Sequence, residues 1–578
     1  MDIGTDWRRL WRWAWRENRR TLAYLRLDTD QIAGDVTADE GPESPSGQRL
    51  SGDIQPDPEP SPFDIGNEYG KRQVIGFILG PLLFALILLL PTPTELDPSG
   101  QAVAAVTAWV AIWWISEAIP IPATSLLPIV LFPLTGAVSL ADTAPSYAHP
   151  VIFLFLGGFF LATAMQRWGL HRRIALRTIT IVGAEPKRVI LGFMIATAFL
   201  SMWVSNTATV MMMVPIALAV IFQAAAGTEG IAPRTSLERG EFPFGLCLML
   251  AIAYSASVGG VATLIGSPPN IIFAGQVSEL FGETITFLEW MYYGVPIAVV
   301  GLVTVYVYLT YVAVRPDFER LPLTSDRIED RLHELGVMSK PERYVLLVFV
   351  GMATGWIAGS LVGQAGLVDL PADFDSIVAI AGALVLFAVP VRTPEDERTF
   401  LLNWTHAVTI PWGVVLLFGG GLAIAAGFAE TGLATWIGQQ LLVLGDLPIL
   451  LLLLLIVGVT IMLTEITSNT ATAAMLLPVL AGIAAGLAIH PYALMIAGAT
   501  AASFAFMLPV ATPPNAIIFG TGYVSIQQMA RVGLALNLLA ILFVTLIAFY
   551  WLPVAWGIDI TAIPEFLVEL ADPLFVAV

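Results

Sequence analysis

The chain has 578 residues, of which 57% are hydrophobic and only 12% are charged, and its formal net charge is −18. A soluble domain carries about twice this charged fraction, so the composition predicts an integral membrane protein in contact with a lipid bilayer. The acidic balance argues against a nucleic-acid partner, and neither the single cysteine nor the five scattered histidines have the spacing of a metal site.

The first segment, residues 1–26, combines tryptophan with arginine. At helical spacing its apolar residues favour one side, as is typical of a helix at the bilayer interface. A poorly ordered basic tail fits the same residues. Residues 27–72 follow, and positions 27–70 hold 11 acids and one base among many prolines, serines and glycines. This composition predicts a disordered acidic linker.

Beyond the linker, apolar stretches recur along the rest of the chain. A crossing of the bilayer needs roughly 20 residues, so the shorter stretches must extend into their flanks. Their cores lie at Val74–Leu90, Ala102–Ile115, Val151–Ala164, Ile297–Val312, Tyr344–Leu361, Ile377–Val389, Val414–Ala429 and Leu534–Leu552. We therefore predict an all-α integral membrane fold.

A polar signature occurs twice within this apolar sequence. The first copy is Ser205-Asn206-Thr207, and the second, 263 residues later, is Ser468-Asn469-Thr470. A later motif, Gly266–Asn270 (GSPPN), matches Ala511–Asn515 (ATPPN) at an offset of 245. The offset of 263 also relates Gly157-Gly158 to Gly420-Gly421, Gly169-Leu170 to Gly432-Leu433, and Pro215 to Pro478. An ordered series of matched positions indicates a duplicated unit, which is typical of secondary transporters.

Basic residues flank the two signatures differently. Arginines and lysines lie on both sides of the first, whereas none occurs between Arg398 and Arg531, around the second. By the positive-inside rule, the first signature is approached from the cytoplasm and the second from outside, with the N-terminus in the cytoplasm. This predicts an inverted-topology repeat. The simpler alternative is that the second unit only lies deeper in apolar sequence.

Each signature lies midway along an apolar stretch, Val189–Gln223 or Leu447–Gly486. A length of roughly 35–40 residues suits two half-helices that meet at a polar tip, so we predict two opposed re-entrant hairpins. The two PPN motifs forbid a continuous helix, because proline lacks an amide hydrogen and clashes with the preceding turn. The spans near Phe244–Ala274 and Tyr492–Gly520 are therefore predicted to be two broken transmembrane helices.

These breaks have a definite chemistry. Half-helix N-termini attract anions, unwound carbonyls suit a small cation, and asparagine and hydroxyl side chains both donate and accept. Two symmetric clusters fit a ligand with two anionic ends, such as a dicarboxylate. No lysine or arginine lies near either signature in the sequence. A dianion loses several kcal/mol of hydration per charge, and a helix end returns only about 0.3–2 kcal/mol, so we expect bound cations.

At these paired motifs, over roughly residues 73–557, the chain resembles the divalent anion/sodium symporter family of dicarboxylate, citrate and sulfate carriers. The resemblance implies a homodimer in the cell membrane, and a transport domain that slides as an elevator against a scaffold domain. It implies scaffold helices at residues 73–149, transport elements at 150–288, scaffold helices and cytoplasmic loops at 289–410, transport elements at 411–530, and a C-terminal helix and tail at 531–578.

The resemblance also implies site residues, with Na+ as the co-transported ion. Sodium site 1 would use Ser201, Ser205, Asn206 and the backbone of Gly266. Sodium site 2 would use Thr464, Ser468, Asn469 and the backbone of Ala511. The substrate would contact Ser205, Asn206, Thr207, Ser267, Ser468, Asn469, Thr470, Thr512 and Pro513.

The leading hypothesis is a sodium-coupled importer of C4-dicarboxylates such as succinate, malate and fumarate. A sodium-independent dicarboxylate exchanger, or a sulfate or citrate carrier on the same fold, is the alternative. An ion channel is disfavoured because opposed hairpins close a pore, and no catalytic arrangement supports an enzyme. Glu465, an acid in apolar sequence, is either a proton or cation site or a hydrogen-bonded structural acid.

Overall fold

The computed structural model describes residues 70–182, 185–226, 242–316, 335–393, 397–440 and 447–564. The predictions for the Trp/Arg-rich segment and for the acidic linker up to residue 69 lie outside the described residues. Helix α1 begins at Lys71, so residues 71 and 72 of the predicted disordered linker are helical instead. Its start is fixed by Gln73, whose Oε1 accepts a hydrogen bond from the Gly70 amide at 2.8 Å.

Helices make up almost all of the first half of the described chain. They are α1 Lys71–Leu89, α2 Pro98–Ser116, α3 Ile121–Thr124, α4 Leu127–Thr135, α5 Leu140–Thr143, a 3₁₀ turn Ala144–Ala148, α6 Pro150–Arg167, α7 Leu170–Val182, α8 Pro186–Ser201, α9 Asn206–Ala226, α10 Pro243–Gly260, α11 Pro268–Phe281 and α12 Phe287–Val307, which continues as a π-helical turn Tyr308–Ala313. Many begin with proline, whose fixed φ and missing amide hydrogen suit the first helical position.

The second half adds one small antiparallel sheet to a further set of helices. The elements are α13 Lys340–Gln364, α14 Phe374–Ala388, β1 Pro390–Arg392, β2 Arg398–Phe400, α15 Trp404–Ala407, α16 Trp412–Glu430, α17 Leu433–Gln440, α18 Ile449–Thr464, α19 Asn469–Gly486, α20 Pro491–Ala502, α21 Pro513–Gly520, α22 Ile526–Tyr550 and α23 Leu552–Trp556. In the sheet, Val391 pairs with Thr399.

Nine helices among the described residues are long and apolar enough to cross a membrane. The protein is therefore a multi-pass, all-α membrane protein, as the composition predicted. The span predicted at Ile377–Val389 is a helix of only 15 residues, Phe374–Ala388. It does not extend further because strand β1 begins at Pro390.

The helix bounds reproduce the offsets read from the sequence. Helices α8 and α18 each have 16 residues, and both of their ends are related by 263 positions. Helices α9 and α19 begin at the two signature asparagines, and α11 and α21 begin at the first proline of each PPN motif. The predicted helix breaks at both signatures and both PPN motifs are confirmed. The inverted relation of the two units stays a prediction.

The repeated glycines have two structural roles. Gly169 and Gly432 end α6 and α16 with φ values of 72° and 68°, a left-handed conformation that favours glycine. Gly157 and Gly420 instead allow close packing. A Cβ at Gly157 would lie 2.6 Å from the Ala379 carbonyl oxygen, and one at Gly420 would lie 2.5 Å from that of Ser125.

Burial separates the centre of the molecule from its lipid-facing edge. In α10, 94% of the residues are buried, whereas only 11% are buried in α1. The exposed side chains of α1 are mostly leucine, isoleucine, valine and phenylalanine. In an aqueous protein such a surface would mark an interface, but on a membrane-spanning helix it is the surface expected to contact lipid. The PPN motifs begin helices that are mostly buried, α11 and α21.

A buried ion pair holds helix α7 against the start of α13. Arg173 and Glu342 are 3% and 4% exposed. The Arg173 guanidinium donates to both Glu342 carboxylate oxygens, with Nε–Oε1 and Nη2–Oε2 distances of 2.9 and 3.1 Å. It also donates to the Gly336 and Leu335 carbonyls at 2.8 and 3.1 Å. Glu342 in turn accepts from the Ser339 amide at 2.7 Å, closing a capping box.

We expect Glu342→Ala to lower stability by about 3–5 kcal/mol, because it leaves the buried Arg173 charge unpaired. The measurement is the melting temperature of the purified protein in detergent. The control is Arg188→Ala, which breaks the Arg188–Glu185 pair, 61% and 57% exposed. An exposed pair contributes about 0–1 kcal/mol. Equal melting temperatures in the two variants would contradict a stabilising role for the buried pair.

Candidate binding site at the two polar helix breaks

The first signature lies where helix α8 ends and α9 begins. Ser201, the last residue of α8, is fully buried, and its hydroxyl lies 2.7 Å from the Ala256 carbonyl oxygen and in contact with the Asn206 amide. The amide atom of Asn206 that faces this cluster lies 3.2 Å from the Ala256 carbonyl and 3.3 Å from that of Gly266. The Asn206 amide can be oriented in two ways. With its nitrogen at this position it donates to the carbonyls, and with its oxygen there it joins them as a ligand for a cation.

The second signature has the same arrangement. Thr464, the last residue of α18, is fully buried, and its hydroxyl lies 2.7 Å from the Asn469 amide oxygen and 2.9 Å from the Ala502 carbonyl. A hydroxyl has one proton, so it donates to one of these oxygens at a time. The three side chains predicted for each sodium site therefore lie where two helices meet: Ser201, Ser205 and Asn206 at the first signature, and Thr464, Ser468 and Asn469 at the second. Ser201 and Thr464 each connect this helix junction to a neighbouring helix.

The asparagine of each PPN motif secures the loop between two half-helices, residues 261–267 or 503–512, and we call these the first and second break loops. The Asn270 amide donates to the Gly260 and Thr263 carbonyls at 2.9 and 2.7 Å. Asn515 donates to the Ala505 and Leu508 carbonyls at 2.9 and 3.1 Å, and every one of these positions is related by 245 residues. Sequence reasoning gave these asparagines no role of their own. The signal that could have identified them is that both asparagines recur at the offset of 245 residues that relates the two PPN motifs.

The residues before the prolines differ between the halves. The Thr512 hydroxyl accepts a hydrogen bond from the backbone amide of Asn515 at 3.3 Å and so caps α21. Ser267 makes no such cap on α11; its hydroxyl lies 3.0 Å from that of Ser503 in the other half. Ser503 was missed by sequence reasoning, because it lies in no repeated motif. A second contact between the halves is the Tyr254 hydroxyl, which donates to the Phe506 carbonyl at 2.8 Å.

The predicted substrate residues fall into an accessible group and a buried group. Those with a partly or largely exposed surface are Ser205, Asn206, Thr207, Ser468, Asn469 and Pro513. Those that are buried are Ser267, Thr470 and Thr512, together with the backbone positions Gly266 and Ala511. The accessible group includes both signature asparagines, whereas the residues of the buried group have little exposed surface.

Glu465 follows Thr464 and is 3% exposed. Its carboxylate accepts hydrogen bonds from the backbone amides of Phe506, Met507 and Leu508 at 2.7, 2.9 and 3.0 Å, and from the Asn537 amide at 2.7 Å. Of the two interpretations of Glu465, a proton or cation site and a hydrogen-bonded structural acid, the four donors on its carboxylate favour the structural acid. Glu465 thus holds the second break loop beside the second signature. The corresponding position of the first unit, 263 residues earlier, is Met202.

A basic residue also reaches the second tip. The Arg72 Nη2 atom lies 3.4 Å from the Ile466 carbonyl oxygen and also contacts the Ile115 carbonyl. The expectation of no base near either signature is therefore wrong for the second one. Sequence distance concealed this contact, because Arg72 belongs to α1 and lies 394 residues away from Ile466.

A family model described as the sodium:sulfate symporter transmembrane region matches residues 71–557. The sodium-dependent dicarboxylate transporter SdcS of Staphylococcus saprophyticus is 46% identical over 493 residues, 85% of this chain and 94% of the relative. SdcS of Staphylococcus aureus MW2 is 46% identical over 499 residues, 86% of this chain and 94% of the relative.

A solved transporter structure resembles this chain in its fold, and the resemblance is limited to the fold. Neisseria gonorrhoeae MtrF is 13% identical, and the match covers 84% of this chain and 96% of that chain with a TM-score of 0.50.

Glu465→Gln is expected to destabilise the protein by about 2–3 kcal/mol, because an amide offers one oxygen to four donors and turns its own hydrogens towards them. The measurement is again the melting temperature in detergent. Glu430→Gln is the matched control, since Glu430 is an exposed acid at the end of α16. A melting temperature of Glu465→Gln equal to that of the control would mean that the carboxylate does not hold the loop.

Proposed function

The chain belongs to the sodium:sulfate symporter family, and from this premise we propose that it is a secondary active transporter that imports C4-dicarboxylates such as succinate, malate and fumarate together with sodium. The relatives that carry the name sodium-dependent dicarboxylate transporter match nearly their whole length. The family match supports the resemblance inferred from the paired signatures and PPN motifs.

The observation that carries the proposal is the matched pair of oxygen clusters at the two tips. Each combines a buried hydroxyl, Ser201 or Thr464, with an asparagine amide and at least one main-chain carbonyl at a helix break. Carbonyl and hydroxyl oxygens at unwound membrane helices are the ligands that transporters use for sodium. The exposed parts of Asn206 and Asn469 then face the substrate, with one carboxylate assigned to each tip.

Charge balance supports cation coupling. Arg72 adds one positive charge near the second tip, but its guanidinium is already hydrogen-bonded to two carbonyls. A single base does not neutralise a dianion, and the cost of desolvating a charge is several kcal/mol. Two sodium ions, one in each cluster, would supply the two positive charges that balance the dianion. Each ion then stabilises the bound dicarboxylate, and the dicarboxylate stabilises each ion by the same factor.

The proposal extends to how the carrier moves. The transport elements, residues 150–288 and 411–530, form two units that enter from opposite sides and slide as an elevator against scaffold helices, within a homodimer. The repeated helix bounds and the hydrogen bonds between the two halves support movement of these elements as one body. An obligate dicarboxylate exchanger, or a sulfate or citrate carrier, is the alternative on the same fold.

Uptake of labelled succinate into proteoliposomes tests the proposal. We expect uptake under an inward sodium gradient and loss of uptake when choline replaces sodium, because the dianion then lacks its compensating charge. Uptake unchanged in choline would contradict sodium coupling. Uptake only with dicarboxylate inside would favour the exchanger, and a preference for labelled sulfate or citrate would select the other carriers.

Variants of the signature asparagines complete this experiment. Asn206→Ala and Asn469→Ala should each abolish uptake, because each removes an amide that links a tip to its ligands. Asn403→Ala is the matched control; Asn403 caps the short helix α15, where its side chain accepts from the His406 amide at 3.1 Å. It should transport at the wild-type rate. Normal uptake by both signature variants would show that the triplets only pack helices.

The inverted topology is tested at two equivalent positions. Glu185 and Pro448 are the N-caps of α8 and α18, 263 residues apart. In a variant lacking the buried Cys247, Glu185→Cys should react with an impermeant thiol reagent only from inside. Pro448→Cys should react only from outside, because inverted units present equivalent residues on opposite sides. Labelling of both from one side would rule out the inverted repeat.

A further inference from the structure

We propose that the hydrogen bond between Ser267 and Ser503 couples the two sodium sites, so that an ion at one site raises the affinity of the other before any dicarboxylate binds. Ser503 is then a positioning residue for both sites and not a ligand of either. This inference rests on the proposed function, because it requires that both clusters bind sodium.

The contact crosses between the two halves of the molecule. The hydroxyl oxygens of Ser267 and Ser503 are 3.0 Å apart, although the residues are 236 positions apart in the chain. Both residues are 1% exposed. A buried hydroxyl cannot turn to water when its partner moves away, so loss of this bond leaves polar groups poorly satisfied. The two break loops are therefore held in fixed relative positions by it.

On each side the hydroxyl lies one peptide unit from an oxygen of a cation cluster. Gly266 precedes Ser267, and its carbonyl oxygen lies 3.3 Å from the Asn206 amide of the first cluster. Ala502 precedes Ser503, and its carbonyl oxygen lies 2.9 Å from the Thr464 hydroxyl of the second cluster. The path between the clusters thus consists of two peptide units and a single hydrogen bond.

The backbone around Ser267 is consistent with this role. Ser267 occupies the N-cap position of α11 with extended φ and ψ of −140° and 136°, close to the −141° and 147° of Thr512. With the same backbone, the Thr512 side chain caps its own helix, whereas the Ser267 side chain bonds across to the other half. The difference between the two side chains is therefore not caused by the local backbone.

The coupling works through position. An ion that draws the Gly266 carbonyl towards the first cluster also moves the adjoining Ser267. Ser503 follows as long as the hydrogen bond is kept, and it carries the Ala502 carbonyl with it. When one cluster adopts the geometry that binds an ion, the other cluster is moved towards its own ion-binding geometry. The two sites then share a coupling free energy. By reciprocity the effect has the same size in both directions.

Sodium binding to the purified full-length protein without dicarboxylate tests this inference. Radioactive sodium is titrated at constant ionic strength with choline. For the wild type we expect a Hill coefficient above 1, and for Ser503→Ala a value of about 1 with unchanged capacity and a several-fold higher half-saturating concentration. Ser503→Thr keeps the hydroxyl and should restore cooperativity. A merely structural role would lower capacity or stability in Ser503→Ala and leave the Hill coefficient of the remaining protein unchanged.

Ser255→Ala is the matched control, because it removes another fully buried serine hydroxyl, on α10. It should retain wild-type cooperativity. If Ser503→Ala does not fold, Ser503→Cys, with its weaker donor, should give an intermediate Hill coefficient. Wild-type cooperativity in Ser503→Ala or Ser503→Cys overturns the coupling. Non-cooperative sodium binding by the wild type overturns it while leaving the proposed function intact, and no sodium binding at all overturns both.

Discussion

The structure depends on how broken helices satisfy their polar backbone inside a membrane. No water is available in the bilayer core, so irregular backbone is stable only where protein groups replace it. The two break loops meet this requirement with side chains from their own chain: Asn270 and Asn515 donate to loop carbonyls, and Glu465 accepts from loop amides. The oxygens left beside Ser201 and Thr464 are therefore held in place by rigid neighbours, which is the condition for a selective site.

The two halves share this plan but differ in its details. Thr512 caps a helix where Ser267 makes a contact between halves, and the second half has a buried carboxylate where the first has Met202. Arg72 contacts the turn of the second signature. The backbone is thus repeated more closely than the charge around it. Under the proposed function, the two sodium sites have similar ligands in different electrostatic surroundings.

Periodic and repeated features could be predicted from the sequence, and single long-range contacts could not. The signatures, the PPN motifs and the Gly169 and Gly432 turns leave local signals, because proline, glycine and polar residues constrain the backbone wherever they occur. The partners of Glu465, Ser503 and Arg72 depend on which surfaces meet after folding. Glu465 was recognised as unusual, but its four donors lie 41–43 and 72 residues further along the chain. No pattern in one sequence specifies such pairs.

The equal lengths of α8 and α18 indicate where the two units can differ in length. Each arm has 16 residues, and each ends in the hydroxyl residue that contacts its signature asparagine. One inserted residue would rotate that hydroxyl by about 100° around the helix axis and remove it from the cluster. The 18 extra residues of the first copy fall instead between its signature and its PPN motif. The two units thus differ in length between the breaks and agree in length at α8 and α18, where an inserted residue would displace the hydroxyl from its asparagine.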